Sequence, residues 1–385
     1  MGRRAAIVVG GLAALAGVAR ARVPCAVDGP PIYADAQGYE LLRAVDPSAS
    51  VTLLATPFAR GSSLLAGAPT DGAGFDLGRA RLGVCGASDG LAYRLVWEPY
   101  ALDERAHLDA QSWGRIVDAA VAWLPNHWSA ISLGVGKVPF SRGREQPIGA
   151  LPLATLPLTV AAIAPDRRLG LTGDADLGVA RIAVGVYTGS RLSSLDAPGG
   201  VLATARLVLE PVGPVGRQAW PEWNDGETSG NGALSWNART RGAVGFSVAY
   251  RQDGAGSGWA AGADFALHRG RFALDGELLF ADRWPLERPT PTPGQLETRL
   301  GGYLEALVIA WSPWLAFAAR IEYLDEDLSR PGPGRSAALA TGANIYALGP
   351  AIELQALYQH TLPLVAAPLG GMAADALLFA LTVGR

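Results

Sequence analysis

Lysine is almost missing from this chain. Of 32 basic residues only Lys137 is a lysine, and the rest are arginines. The net charge is −3 with no basic tract, which removes the electrostatic footprint expected of nucleic-acid binding. Histidine is scarce too: His107, His127, His268 and His360 have no metal-ligand spacing to one another or to a cysteine pair. The sequence therefore offers no metal site, no cofactor site and no catalytic set, and it does not read as an enzyme. Long apolar runs are missing beyond the N-terminus, where no segment reaches the 18 residues of a spanning helix, so a helical membrane protein is excluded. There are two cysteines, Cys25 and Cys85. In an oxidising compartment they could pair; as two isolated buried thiols they would not.

The N-terminus, by contrast, is rich in signal. Arg3 and Arg4 form a positive n-region, Ala5 to Val18 an apolar h-region, and Ala19-Arg20-Ala21 a small-x-small cleavage site. Residues 1–21 are read as a signal peptide. Its removal takes away Arg3, Arg4 and Arg20 and moves the net charge from −3 to −6. Residues 22–50 are a periplasmic or lumenal segment, and residues 51–385 form the main body.

From Leu77 onward the apolar period is two. Leu91, Tyr93, Leu95 and Trp97 oppose Ala92, Arg94, Val96 and Glu98; Val244, Phe246, Val248 and Tyr250 oppose Gly245, Ser247, Ala249 and Arg251. Phe272, Leu274, Leu278 and Phe280 oppose Arg271, Asp275 and Glu277; Phe317, Ile321 and Tyr323 oppose Arg320 and Glu322. Each strand thus has one wall in an apolar medium and one in a polar medium. A soluble sandwich does this as well. Runs of about ten residues, charge confined to one face, and Trp at strand ends favour a membrane barrel. Trp97, Trp123, Trp128, Trp259, Trp284, Trp311 and Trp314 suit an interfacial girdle, with ordinary core packing as the alternative for any one of them.

The fold class is therefore all-β: a transmembrane antiparallel β-barrel, most simply of 16 strands, with short periplasmic turns and long extracellular loops. The expected strands are 51–58, 77–86, 90–100, 115–124, 130–138, 166–173, 177–187, 201–210, 240–250, 258–267, 271–282, 297–311, 314–324, 337–347, 351–360 and 374–384. Short and long connections alternate between them. The connection 211–239 breaks the rule: it is long on the periplasmic side, either as a real excursion or through misplaced strands.

Several stretches carry a family resemblance in order: Gly134, Lys137, Pro139 and Phe140; Gly185, Val186, Tyr187 and Gly189; Gly301, Gly302, Tyr303, Arg320, Glu322 and Tyr323. Together they resemble the phosphate-selective porin O and P family, over roughly residues 75–385. The resemblance implies an outer-membrane channel of a Gram-negative bacterium, a homotrimer, passing small anions or other hydrophilic solutes.

Strand parity places Arg79, Arg81, Arg94, Arg168, Arg181, Arg206, Arg251, Arg271, Arg299 and Arg320 on the inner wall. Glu98, Asp118, Glu210, Asp264, Asp275, Glu277, Glu305, Glu322 and Glu353 join them there. Such near balance gives no clear selectivity sign. The connection 139–165 is long and unusually apolar, which suits folding into the barrel mouth or against a neighbouring subunit; Lys137, Arg142 and Arg144 would belong to that constriction or mouth loop. By parity Lys137 shares the lipid face with Ile131, Leu133 and Val135. It could snorkel at the rim, or a bulge at Gly134 and Gly136 could turn it inward. Cys85 shares the inward face with Arg79 and Arg81, so an N-terminal segment entering the lumen could bring Cys25 to it.

The functional expectation is a porin for passive diffusion of small hydrophilic solutes or ions, with outer-membrane lipid as its surroundings. The alternatives are a non-conducting structural or adhesive barrel and a secreted soluble β-sheet binding protein. Mass spectrometry of the exported protein should find a chain starting at Arg22; a chain that keeps Arg3 and Arg4 would remove the signal-peptide assignment.

Overall fold

The computed structural model describes residues 39–46, 49–64, 73–88, 90–101, 115–126, 128–146, 151–189, 200–213, 215, 240–254, 256–285, 297–311, 314–329, 334–350, 352–364 and 374–383. The signal peptide, Cys25 and most of 22–50 lie outside them.

Seventeen strands are found among the described residues, all in one antiparallel sheet. They are β1 (Tyr39–Asp46), β2 (Ala49–Leu64), β3 (Ala73–Ser88), β4 (Leu91–Ala101), β5 (Arg115–Asn126), β6 (Ser129–Gly136), β7 (Arg168–Asp176), β8 (Ala180–Thr188) and β9 (Val201–Leu209). The second half comprises β10 (Arg241–Asp253), β11 (Gly256–Arg269), β12 (Phe272–Trp284), β13 (Glu297–Trp311), β14 (Leu315–Asp325), β15 (Arg335–Pro350), β16 (Ile352–Pro363) and β17 (Ala374–Val383). Every expected strand falls on one of these, with ends moved by a few residues. The count departs from the expected sixteen because β1 lies inside the segment read as an extension.

Strands β2 to β17 pair each with the next, and β17 pairs back onto β2, Ala376 opposite Leu64 through Thr382 opposite Phe58. Closure gives each of the strands β2 to β17 a partner on both sides, which matters in hydrocarbon, where an unpaired backbone amide would cost several kcal/mol. Strand β1 takes the lower part of the same edge of β2, from Tyr39 opposite Ala55 to Asp46 opposite Ala49.

The alternation becomes a physical inside and outside. On β14, Phe317 and Ile321 are 46% and 56% exposed, while Ala316, Ala318, Arg320 and Glu322 between them are buried. On β5, Val121 and Trp123 are exposed and Asp118, Ala120 and Ala122 are buried. Wide apolar exposure on the outer face, with charge held inside, is the reverse of a soluble protein and fits a lipid-facing wall.

The connection lengths show one paired exception. The β9–β10 connection, 210–240, is long on the short-turn side, and β10–β11 is joined by only residues 254–255 on the long-loop side. The expected strands on either side are in place, so the long connection is genuine.

Six of the seven tryptophans proposed for the girdle are exposed at strand ends; Trp284 is fully buried. Parity failed there because of a local backbone change. The β12–β13 register slips between Ala281 and Trp284, and Arg283 takes a positive φ of 50°. The extra residue turns Trp284 from the outer wall to the inner one. Gly258 on neighbouring β11 makes the space, since a Cβ there would collide with the Arg283 carbonyl. The string Gly86-Ala87-Ser88-Asp89-Gly90 matches Gly-x-Ser-x-Gly, but it spans the β3–β4 hairpin and not a strand-to-helix elbow, so it gives no nucleophile geometry.

Replacing Phe246 in mid-β10, or Ile321 in mid-β14, by Arg should destabilise the barrel in lipid vesicles by roughly 2–4 kcal/mol. Urea titration of the folded vesicle protein measures this; unchanged stability would contradict the lipid-facing assignment.

Candidate functional site

The chain between β6 and β7 runs inside the barrel. It contains two short helices, α1 (Arg142–Glu145) and α2 (Leu158–Ile163). Val138, Phe140, Ser141, Val160, Ala162, Ile163 and Ala164 are all fully buried. The apolar character of 139–165 is thereby explained: it packs on the inner wall. In α2, Val160, Ala162 and Ile163 join Leu279, Ala281, Trp284, Tyr303 and Leu324 in one cluster. Leu153 joins a second cluster with Leu307, Ile309, Leu357 and Leu378. The inner wall of β13, β16 and β17 carries Leu and Ile at inward positions where other strands carry charge. These aliphatic inward positions are the sequence signal of the landing site.

Polar contacts latch the crossing segment on both sides of these clusters. Ser141 caps α1, accepting from the Arg144 N–H at 3.2 Å, and donates to Glu277 Oε2 at 2.9 Å. The Gly143 N–H donates to the same carboxylate at 3.2 Å. The Leu158 N–H at the start of α2 donates to Glu322, and Thr159 Oγ1 donates to the Tyr323 carbonyl at 2.9 Å. Trp284 Nε1 donates to the Ile163 carbonyl at 3.2 Å. Arg320 donates to the Thr155 carbonyl at 2.9 Å and to Thr155 Oγ1 at 3.0 Å. Asn344 and Gln355 donate to the carbonyls of Pro152 and Leu151, each at 2.8 Å. Backbone groups without a helix or sheet partner are thus satisfied by wall side chains. Thr155, Asn344, Gln355 and Ser141 were not singled out in the sequence, because nothing local marks them.

The inward charges meet one another. Arg206 lies 2.6 Å from Asp264, donates to Ser247 at 2.8 Å and to the Phe140 carbonyl at 3.3 Å, and lies 3.5 Å from Glu145. Arg142 reaches Asp275 at 3.6 Å, and His268 Nε2 lies 3.3 Å from the same residue. Arg320 bridges Glu305 at 3.1 Å and Glu322 at 2.7 Å. On the far wall Asp118 joins Arg94 at 3.1 Å to Arg167 of the returning segment at 2.9 Å. Arg181 faces Glu210 at 3.4 Å, and Arg299 faces Glu297 at 2.9 Å. Arg168 and Glu353 are buried on the inner wall, while Arg251 pairs with Asp253. The side chains of Arg79, Arg81 and Glu98 lie outside the described residues.

One assignment changes, and one open reading is decided. Arg271 is exposed in the β11–β12 turn, one residue before β12 starts, and does not line the wall. Lys137 does not face lipid: β6 ends at Gly136, and Lys137 Nζ donates to the carbonyls of Glu145 and Gln146 at 3.0 and 2.8 Å, closing the C-terminal end of α1. Just before it Gly134 has a φ of 145°, and a Cβ there would collide with the Ala119 carbonyl oxygen. Near the return, the Asp166 carboxyl lies below the usual carboxylate range. Partial burial pushes it up, but the Arg144 and Arg167 guanidiniums and the Arg167 N–H pull it down by more.

No family model matches this sequence, and no curated protein matches it. Solved structures do resemble it. The outer membrane channel DcaP of Acinetobacter baumannii superposes with a TM-score of 0.59 at 10% identity, over 91% of this chain and 100% of that one. OmpT of Vibrio cholerae, an outer-membrane protein, gives 0.57 at 10% identity over 89% and 100%. An anion-selective porin from Comamonas acidovorans gives 0.57 at 14% identity over 88% and 100%. At such identity the likeness shows the fold, and the fold is an outer-membrane β-barrel of the kind these channels use.

Arg320→Ala should cost roughly 3–5 kcal/mol of barrel stability, because it leaves Glu305 and Glu322 as buried charges without their partner. It should also free Thr155 and expose the segment around it to protease. Urea midpoints and limited proteolysis measure the two effects; a variant as stable and as resistant as the parent would show that this latch holds nothing.

Proposed function

We propose that the chain is an outer-membrane porin of a Gram-negative bacterium, giving passive passage to small hydrophilic solutes and ions. The observation that carries this reading is the inward crossing segment: a closed barrel with a lipid-facing outer wall holds, on polar latches, a loop that narrows a charged lumen. The resemblance to the phosphate-selective porin O and P family supports the same reading, and from that resemblance we infer a homotrimer within outer-membrane lipid.

Phosphate selectivity is the weaker part. A phosphate-selective constriction needs cations aimed at the lumen. Here Arg142, Arg206 and Arg320 are each engaged with carboxylates, and Lys137 is engaged with backbone carbonyls. The basic members are spread over β3, β4, β7–β10, β13 and β14, and the acidic ones over β4, β5, β11–β14 and β16 with Glu210 beside β9, so each sign meets the other around the wall. Such a wall favours neither sign strongly.

Planar-bilayer recordings of the mature protein should show discrete conductance steps. In a salt gradient the reversal potential should fall well short of the limit for an ideally selective pore. A reversal potential near that limit would overturn the weak-selectivity reading. Absence of steps would favour the non-conducting scaffold.

A further inference from the structure

The short turn between β11 and β12 carries two cations on the lipid side of the wall. Strand β11 ends at Arg269 and β12 begins at Phe272, so only Gly270 and Arg271 join them. The outward row of β11 passes through Trp259, Phe265 and Leu267 to Arg269, all of them exposed. A lipid-facing row thus ends in an arginine where the wall leaves hydrocarbon. Arg271 is exposed beside it. In barrels of this kind the short turns lie on the periplasmic side.

Aromatic side chains stand around the pair. Phe272 lies directly opposite Arg269 on the ladder and is exposed. The Ile309 N–H donates to the Arg271 carbonyl at 2.9 Å, which brings β13 alongside. Trp311, two residues further and roughly 7 Å along that strand, is 72% exposed. The N–H of Trp314, also exposed, donates to the Trp311 carbonyl at 2.8 Å and closes the neighbouring turn. Exposed tryptophans at this depth pack among lipid headgroups.

No carboxylate offsets the two guanidiniums on this patch. Among the described residues of β11 to β14, Asp264, Asp275, Glu277, Glu305 and Glu322 are buried on the lumen side. Asp282, Glu297 and Asp325 stand at the long-loop ends of their strands. The charge is also local to this turn. The β5–β6 turn offers Trp128, and the β7–β8 turn Leu177 and Val179, with no arginine or lysine in either.

We propose that this turn binds an anionic phospholipid of the periplasmic leaflet, with Arg269 and Arg271 on the headgroup phosphate and Phe272, Trp311 and Trp314 against the glycerol and upper acyl chains. A guanidinium pairs with a phosphate through parallel N–H donors, and an arginine at the end of a lipid-facing row reaches the headgroup layer with its stem still in apolar surroundings. The ammonium of a zwitterionic lipid would meet two cations and no carboxylate here, so net negative charge is preferred. A free phosphate would leave the aromatic side chains uncovered. The inference needs the barrel in its membrane and is independent of the channel reading.

The test is lipid competition on the full mature barrel in detergent micelles, read by native mass spectrometry. The probes are phosphatidylglycerol and phosphatidylcholine with the same acyl chains. The parent should prefer phosphatidylglycerol roughly tenfold. R269Q/R271Q should bind the two lipids alike, and R269K/R271K should keep most of the preference. Heat-modifiable migration in gels shows which variants are folded; the single variants R269Q and R271Q replace the double one if it does not fold, and each should lose part of the preference. Inorganic phosphate at the same concentration should leave the bound lipid in place. Equal binding of the two lipids by the parent, or an unchanged preference in the folded glutamine variants, would overturn the proposal. Displacement of the lipid by inorganic phosphate would assign the turn to a free anion and overturn it as well.

Discussion

A strand in hydrocarbon has nowhere to send its amides except to another strand. That constraint decides the rest of this molecule. It forces the sheet to close, β17 onto β2, and closure separates one wall that only lipid touches from another that only the lumen touches. Once the walls are separated, Phe246 and Ile321 on one side and Arg206 and Arg320 on the other need no further sorting device. The two-residue period in the sequence is the trace of this division.

A lumen lined with charge would be wide and wet if nothing crossed it. The β6–β7 connection crosses it by combining two kinds of contact. Leu153 and the α2 residues bury against aliphatic wall positions, which holds the segment close without fixing its register. The carboxylates of Glu277 and Glu322, the guanidinium of Arg320 and the amides of Asn344 and Gln355 then fix the register by satisfying particular backbone groups. The arginines Arg94, Arg181, Arg206 and Arg320 are engaged by carboxylates, and Arg206 and Arg320 also by carbonyls of this segment, so the inner wall is neutralised pair by pair.

Irregular backbone does the remaining work. At Trp284 one extra residue in β12 moves a side chain from lipid to lumen, where its indole holds the end of α2. At Gly134 and Gly136 the end of β6 releases Lys137 from strand parity, and the ammonium closes α1. Both places look like ordinary strand in the sequence, because a bulge is set by the partner strand's register and by space such as that left at Gly258.

The sequence by itself determined the strands, which face of each is apolar, and that 139–165 is too apolar for a loop in water; those are local properties, carried by a period of two and by composition. Only the tertiary structure decided that β1 belongs to the wall, that Arg271 ends in a turn, and that Arg320, Thr155, Asn344 and Gln355 come together. Residues separated by nearly two hundred positions meet there because the barrel closes, and closure is a sum over all the strand pairings that no single stretch of sequence contains.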